Sequence, residues 1–124
     1  SEEGEDFFRS IESKCLQETI KFPSLVISTG GGVILEKKNW GILSQGIVVW
    51  INLNKEVAIK RLSSEISRRP MMQGKDLNKT YDDIFNSRKD IYSKADLEIK
   101  VSNENVDQVV EQIIYKIYEK VLIN

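Results

Sequence analysis

The stretch Ser24-Leu25-Val26-Ile27-Ser28-Thr29-Gly30-Gly31-Gly32 decides how the rest of the chain is read. Its first six residues are a short run rich in β-branched and apolar side chains without alternation, the pattern of a strand buried on both faces of a parallel sheet. The three glycines then fall at the carboxyl end of that strand, where open α/β folds bind their ligands. Without a Cβ they let a ligand touch the backbone, and their N–H groups can donate to oxyanions or hydroxyls. A turn that needs positive φ usually takes one glycine, so three in a row favour a ligand-facing role. The spacing is not G-x-G-x-x-G and no acidic strand end follows, so a dinucleotide fingerprint fits poorly.

Upstream, Phe8, Ile11, Cys15, Leu16, Thr19 and Ile20 recur at helical spacing until Pro23, which predicts a helix from about Glu5 to Lys21. Phe7, Phe8, Cys15, Trp40 and Trp50 read as core. Downstream, a short polar helix around Glu36 to Gln45 leads through Gly46 into a second continuous apolar strand, Ile47 to Leu53, completing a βαβ unit. Asn54 caps a helix that fades near Ser64. The polar stretch from Ser64 to Lys79 reads as a mobile loop. Thr80 with Asp83 resembles a capping box opening a helix to about Ser93, Asp96 to Val101 alternates like a strand, and Asn105 with Gln108 caps a final helix. The alternation predicts one α/β domain over residues 1–124, a three-layer sandwich with a mainly parallel sheet of which three strands are visible.

At 124 residues and 14.3 kDa, with 40% hydrophobic and 30% charged positions, one domain is the ceiling. A net charge of -1 argues against nucleic acid as a partner, and no apolar run is long enough to span a bilayer, so no membrane association is expected. With Cys15 alone and no His, an internal disulfide, the usual zinc sites and a Ser-His triad are excluded. Asp82, Asp83 and Asp90 read as caps or solvated carboxylates, and no general base stands out. Arginine is the exception among the cations: thirteen Lys stand against Arg9, Arg61, Arg68, Arg69 and Arg88. A planar fork that pairs bidentately with carboxylate or phosphate is a reason to keep Arg where Lys is the default. Arg9 and Glu12 stand three apart on one helix face, so the carboxylate can hold the guanidinium.

Gly4-x-x-x-Phe8-Arg9-x-x-Glu12, Ile27-Ser28-Thr29-Gly30-Gly31-Gly32-Val33, Gly46-Ile47-Val48-Val49-Trp50-Ile51, Arg69-Pro70-Met71-Met72 and Arg88-x-x-x-Tyr92, in this order and spacing, resemble the shikimate kinase family. The resemblance implies a P-loop NTPase-like fold of the shikimate kinase type. It also implies a cytoplasmic, monomeric enzyme that transfers the γ-phosphoryl of MgATP to the shikimate 3-hydroxyl, on the way to chorismate and the aromatic amino acids. Carried over by motif, Arg9 and Arg88 grip the shikimate carboxylate, Gly30, Gly31 and Gly32 meet its hydroxyls, Phe8 lines the pocket and Glu12 orients Arg9. Arg69 corresponds to the catalytic arginine of a lid from about residue 64 to 78, where it also meets the nucleotide, and Arg61 lies near the adenine.

Departures from the family pattern accompany these matches. The family P-loop, G-x-x-G-x-G-K-S/T, and the D-x-D segment after it do not occur in the 124 residues, so the phosphate cradle and the Mg²⁺ ligands are expected outside them. The expectation that follows is the carboxyl-terminal two thirds of a kinase, inactive by itself. Met71-Met72 stands where Leu-Leu is usual, Lys89-Asp90-Ile91 lacks a proline, and a late nucleotide-contacting arginine is replaced near Asn103 or Glu104. The alternative is a catalytically inert relative that serves as a binding or regulatory module.

Overall fold

The computed structural model describes residues 2–66 and 76–123. They form two compact units, Ser1–Val48 and Val49–Asn124.

In the first unit, helix α1 (Glu2–Thr19) packs on a 3₁₀ turn (Gly31–Leu35) and on helix α2 (Lys37–Leu43). Its buried residues are Leu16, Gly32, Val33 and Ile34 with two polar ones, Ser13 and Asn39. The face of α1 turned inward therefore runs through Ser13 and Leu16. Phe7, Phe8 and Cys15, expected in the core, are exposed. The difference follows from helix geometry: once Ser13 and Leu16 face the turn and α2, the 3.6-residue period puts Phe7, Phe8 and Cys15 on the other side of α1.

The run from Ser24 to Thr29 is not a strand. It begins on a bend at Ser24 (φ 60°) and is unpaired among the described residues, with Leu25 exposed and Val26 fully so. A doubly covered strand needs neighbours along both edges and layers on both faces. Apolar composition reports fitness for such surroundings but cannot supply them, and no described strand lies in this unit. Trp40 is half-buried.

The second unit holds a parallel two-stranded sheet, β1 (Val49–Leu53) beside β2 (Leu97–Val101), in the register Ile51 opposite Ile99. Two strands are thus described where three were expected. Ile99 is completely buried and Val101 nearly so. On the opposite face Trp50 meets Phe85 and Tyr92 of helix α4 (Leu77–Tyr92), with ring centroids 6.5 and 5.6 Å away. Helix α3 (Lys55–Ile66) packs on α4, and helix α5 (Val106–Ile123) packs on β2, where Lys116 and Lys120 donate to the Glu98 and Asp96 carbonyls.

Two caps stand as expected. Asn54 Oδ1 accepts from the Glu56 N–H at 2.9 Å, and Asn105 and Gln108 exchange reciprocal bonds at 2.8 and 2.9 Å. The Thr80 cap is corrected: Asp76 caps α4 by accepting from the Lys79 N–H, and Thr80 donates its hydroxyl to the Asp76 carbonyl. A Thr hydroxyl satisfied four residues back leaves the helix free to continue upstream. Residues 64–66 and 77–79, expected in the loop, are helical. Residues 67–75 lie outside the described residues. No described helix is long and apolar enough to cross a membrane.

Candidate functional site

Helix α1 sets Glu5, Arg9 and Glu12 on successive turns. Arg9 Nε donates to Glu5 Oε1 at 3.0 Å, and Nη1 donates to Glu12 Oε2 at 2.8 Å. The guanidinium also lies 5.1 Å from the centre of the Phe8 ring, within the range of a cation–π contact. The side chains of Arg9 and Glu12 are 19% and 16% exposed, so this pair is partly shielded from water, whereas Glu5 is largely solvated. Surface pairs at this spacing contribute only a few tenths of a kcal/mol each to stability. Their effect here is directional: two carboxylates fix Nε and Nη1, and no described residue accepts from Nη2.

Nη2 faces Gly32. A Cβ at Gly32 would overlap Nη2, Cζ and Nη1 of Arg9, the last two at 2.5 Å, so the guanidinium occupies the space a side chain would need. Gly30 differs, since it adopts ordinary extended backbone (φ -69°, ψ 153°) and a Cβ there meets nothing within 4 Å. Gly31 opens the 3₁₀ turn and is exposed. The glycine run and Arg9, picked out separately in the sequence, therefore meet at one point, Gly32.

Of the remaining candidates, Glu12 and Phe8 both touch Arg9, Phe8 with its ring 55% exposed. Arg88 is half-buried on α4 and Arg61 is exposed on α3, both in the second unit. Arg69 lies outside the described residues, as does Arg68. Glu5 was missed in the sequence, although its i,i+4 spacing to Arg9 is the usual signal for such a pair.

The carboxyl ends of β1 and β2 form a second feature, an open cleft of about 230 Å³ lined among others by Asn52, Asn54, Lys55, Tyr81, Phe85 and Ser102. Lys55 is engaged there, 2.9 Å from Asp82 and 5.9 Å over the Tyr81 ring. Asp82, read as a cap or solvated carboxylate, is thus the partner of Lys55. Glu104 accepts from the Ser102 N–H at 2.7 Å, and that bond holds its carboxyl below the ordinary glutamate range. Where a nucleotide-contacting arginine was in doubt, a carboxylate ties the turn between β2 and α5. Among the described residues no three His, Cys, Asp or Glu side chains converge to hold a metal ion.

The family model for shikimate kinase matches residues 1–118. The chain belongs to the shikimate kinase family. A curated shikimate kinase of Prochlorococcus marinus (strain NATL2A) is 43% identical over 111 residues, covering 90% of this chain and 56% of the relative. That of Nostoc punctiforme is 36% identical over 122 residues, covering 98% of this chain and 67% of the relative. The crystal structure of shikimate kinase from Bacteroides thetaiotaomicron superposes with a TM-score of 0.74 at 28% identity, covering 99% of this chain and 72% of that one. The chain thus spans a little over half the length of the first curated shikimate kinases it matches.

Proposed function

We propose that this chain carries the shikimate-binding side of a shikimate kinase, whose reaction moves the γ-phosphoryl of ATP to the shikimate 3-hydroxyl. In that reaction the hydroxyl oxygen bonds to phosphorus as the bond to ADP breaks, and the hydroxyl proton passes to solvent water. The observation that carries the reading is Arg9, braced by Glu5 and Glu12 and seated on Gly32 with Nη2 free of any described acceptor. Nη2 is the donor offered to the substrate carboxylate, and the N–H groups of the glycine run are offered to its hydroxyls. Glu5 and Glu12 together outweigh the one guanidinium, so a second cation is needed for an anionic substrate, and Arg88 is assigned that part. Phe8 is the apolar wall beside the carboxylate. Arg69 is assigned to the transferring phosphates, where a charge supplied on closure acts mainly in the transition state, and Arg61 to the adenine. Among the described residues no three metal-ligating side chains converge, and no step is routed through Mg²⁺.

Calorimetric titration of the 124-residue chain with shikimate tests the reading. Arg9→Lys and Arg88→Lys keep the charge and lose the fork, and each lost charge-assisted hydrogen bond is worth on the order of 1.5–3 kcal/mol, roughly ten- to a hundredfold in affinity. Arg68→Lys is the control and is expected to cost almost nothing. If all three bind shikimate alike, the pocket is wrong. A coupled ADP-release assay on the same 124 residues is expected to show no turnover, and joining them to the P-loop segment of a relative is expected to restore it. Shikimate binding without restored turnover would favour the inert binding module instead.

A further inference from the structure

Asn39 is 1% exposed, yet its Oδ1 has no hydrogen-bond partner. A buried amide with an idle acceptor is costly, and a position needed only to fill the core is better served by an apolar side chain. Its Nδ2 is fully used. One hydrogen goes to Ser13 Oγ on α1 and the other to the Val33 carbonyl in the 3₁₀ turn, both at 3.0 Å. The opposite amide orientation would set Oδ1 against the Val33 carbonyl oxygen, so the chemistry of these partners fixes which end points where.

Ser13 lies one turn beyond Arg9 on α1, and Val33 directly follows Gly32. The two bonds of one amide therefore join the helix that bears the guanidinium to the turn that bears the glycine under it. We infer that Asn39 is the positioning residue of the Arg9–Gly32 pair: from α2 it sets the spacing and register of α1 against the turn, and so fixes where Nη2 and the glycine backbone meet a ligand. Nδ2 can do this because its two hydrogens diverge at a set angle from a planar group, whereas a hydroxyl brings only one donor. The inference rests on the proposed shikimate site for its ligand, but the link between α1 and the turn is measurable without one.

The test uses the full 124-residue chain with Asn39→Leu, which keeps much of the side-chain volume and removes both donors, and Ser13→Ala, which removes one acceptor and leaves the Val33 bond. Leu16→Val serves as a packing control in the same unit. Amide hydrogen exchange and calorimetric titration with shikimate are read on each. Asn39→Leu is expected to speed exchange in residues 31–35 at least tenfold relative to Ile99, and to weaken shikimate about tenfold. Ser13→Ala is expected to do the same to a smaller extent, while Leu16→Val leaves the affinity unchanged. Unchanged exchange in both Asn39→Leu and Ser13→Ala overturns the link. Faster exchange with parental affinity overturns the positioning role. Should Asn39→Leu not fold, Ser13→Ala decides by the same two readings. A parent chain that binds no shikimate sinks the proposed function, and the exchange comparison alone then decides whether Asn39 joins the helix to the turn.

Discussion

Gly32→Ala separates the proposed site from the fold that carries it. At 2.5 Å from Cζ and Nη1, the new methyl group has to be relieved to an ordinary contact of about 3.5 Å, a displacement of about 1 Å. The guanidinium is the far end of a flexible side chain and yields more readily than the buried turn. A shift of that size stretches the 2.8 Å bond to Glu12 beyond hydrogen-bond range. The loss of one or two such intrahelical pairs costs the fold about 0.5–1 kcal/mol, because one partner is solvated and the other only partly shielded. Shikimate loses an aligned charge-assisted donor, on the order of 1.5–3 kcal/mol, or roughly ten- to a hundredfold in affinity. Gly30→Ala, with nothing within 4 Å and a permitted φ, is expected to leave the stability of the fold unchanged. Thermal melts and calorimetric shikimate titrations of the two variants decide the matter. If Gly32→Ala binds shikimate as tightly as the parent chain, the guanidinium over Gly32 is not what holds the substrate.

Three further outcomes follow from other groups. Glu5→Gln removes a solvated carboxylate from Nε without disturbing Glu12, so shikimate affinity is expected to rise severalfold at low ionic strength and the gain to shrink with salt, as titrations at two salt concentrations would show. In a protein that joins these residues to a P-loop, Arg69→Ala is expected to lower kcat roughly a thousandfold with little change in shikimate Kd, and equal turnover would remove Arg69 from the mechanism. Glu104 is held below its ordinary pKa chiefly by the Ser102 N–H, so its contribution to stability is full above the unfolded carboxyl pKa and disappears as pH falls through the lower folded value. Glu104→Gln is expected to flatten the acid limb of the melting temperature against pH, and a carboxyl NMR titration of Glu104 matching the solvated glutamates would contradict it.

What the sequence discloses about this fold divides along a physical line. Several interactions closed within four residues were legible, the caps at Asn54 and Asn105 and the Arg9–Glu12 pair, although the Asp76 cap and the Glu5–Arg9 pair at the same range were not. Features that depend on what lies opposite were not. The burial of Ser13 and Asn39 follows from two donors finding partners 26 and 6 residues away, a relation that no periodicity encodes. The α1 stripe was misread for the same reason, since the packed face is chosen by the turn and α2 and not by the count of apolar residues along the helix. At the site itself, residue type pointed to Arg9 and the glycines, but only the fold distinguishes Gly32, which must lack a side chain, from Gly30, which need not.

The run from Ser24 to Thr29 also bears on how this chain behaves in concentrated solution. Six uncharged residues, three of them β-branched, lie outside any helix or strand with Val26 fully exposed and no described strand along either edge. Free backbone donors and acceptors beside such side chains form a template on which an identical segment from another molecule can add, one every 4.7–4.8 Å or so in a growing stack. Association of that kind is steep in protein concentration and insensitive to salt, because no charge within the run opposes it. The flanking Lys21 and Glu36 stand too far out to act as gatekeepers. A charged residue at position 26 would interrupt the stack while leaving Gly32 and its arginine untouched.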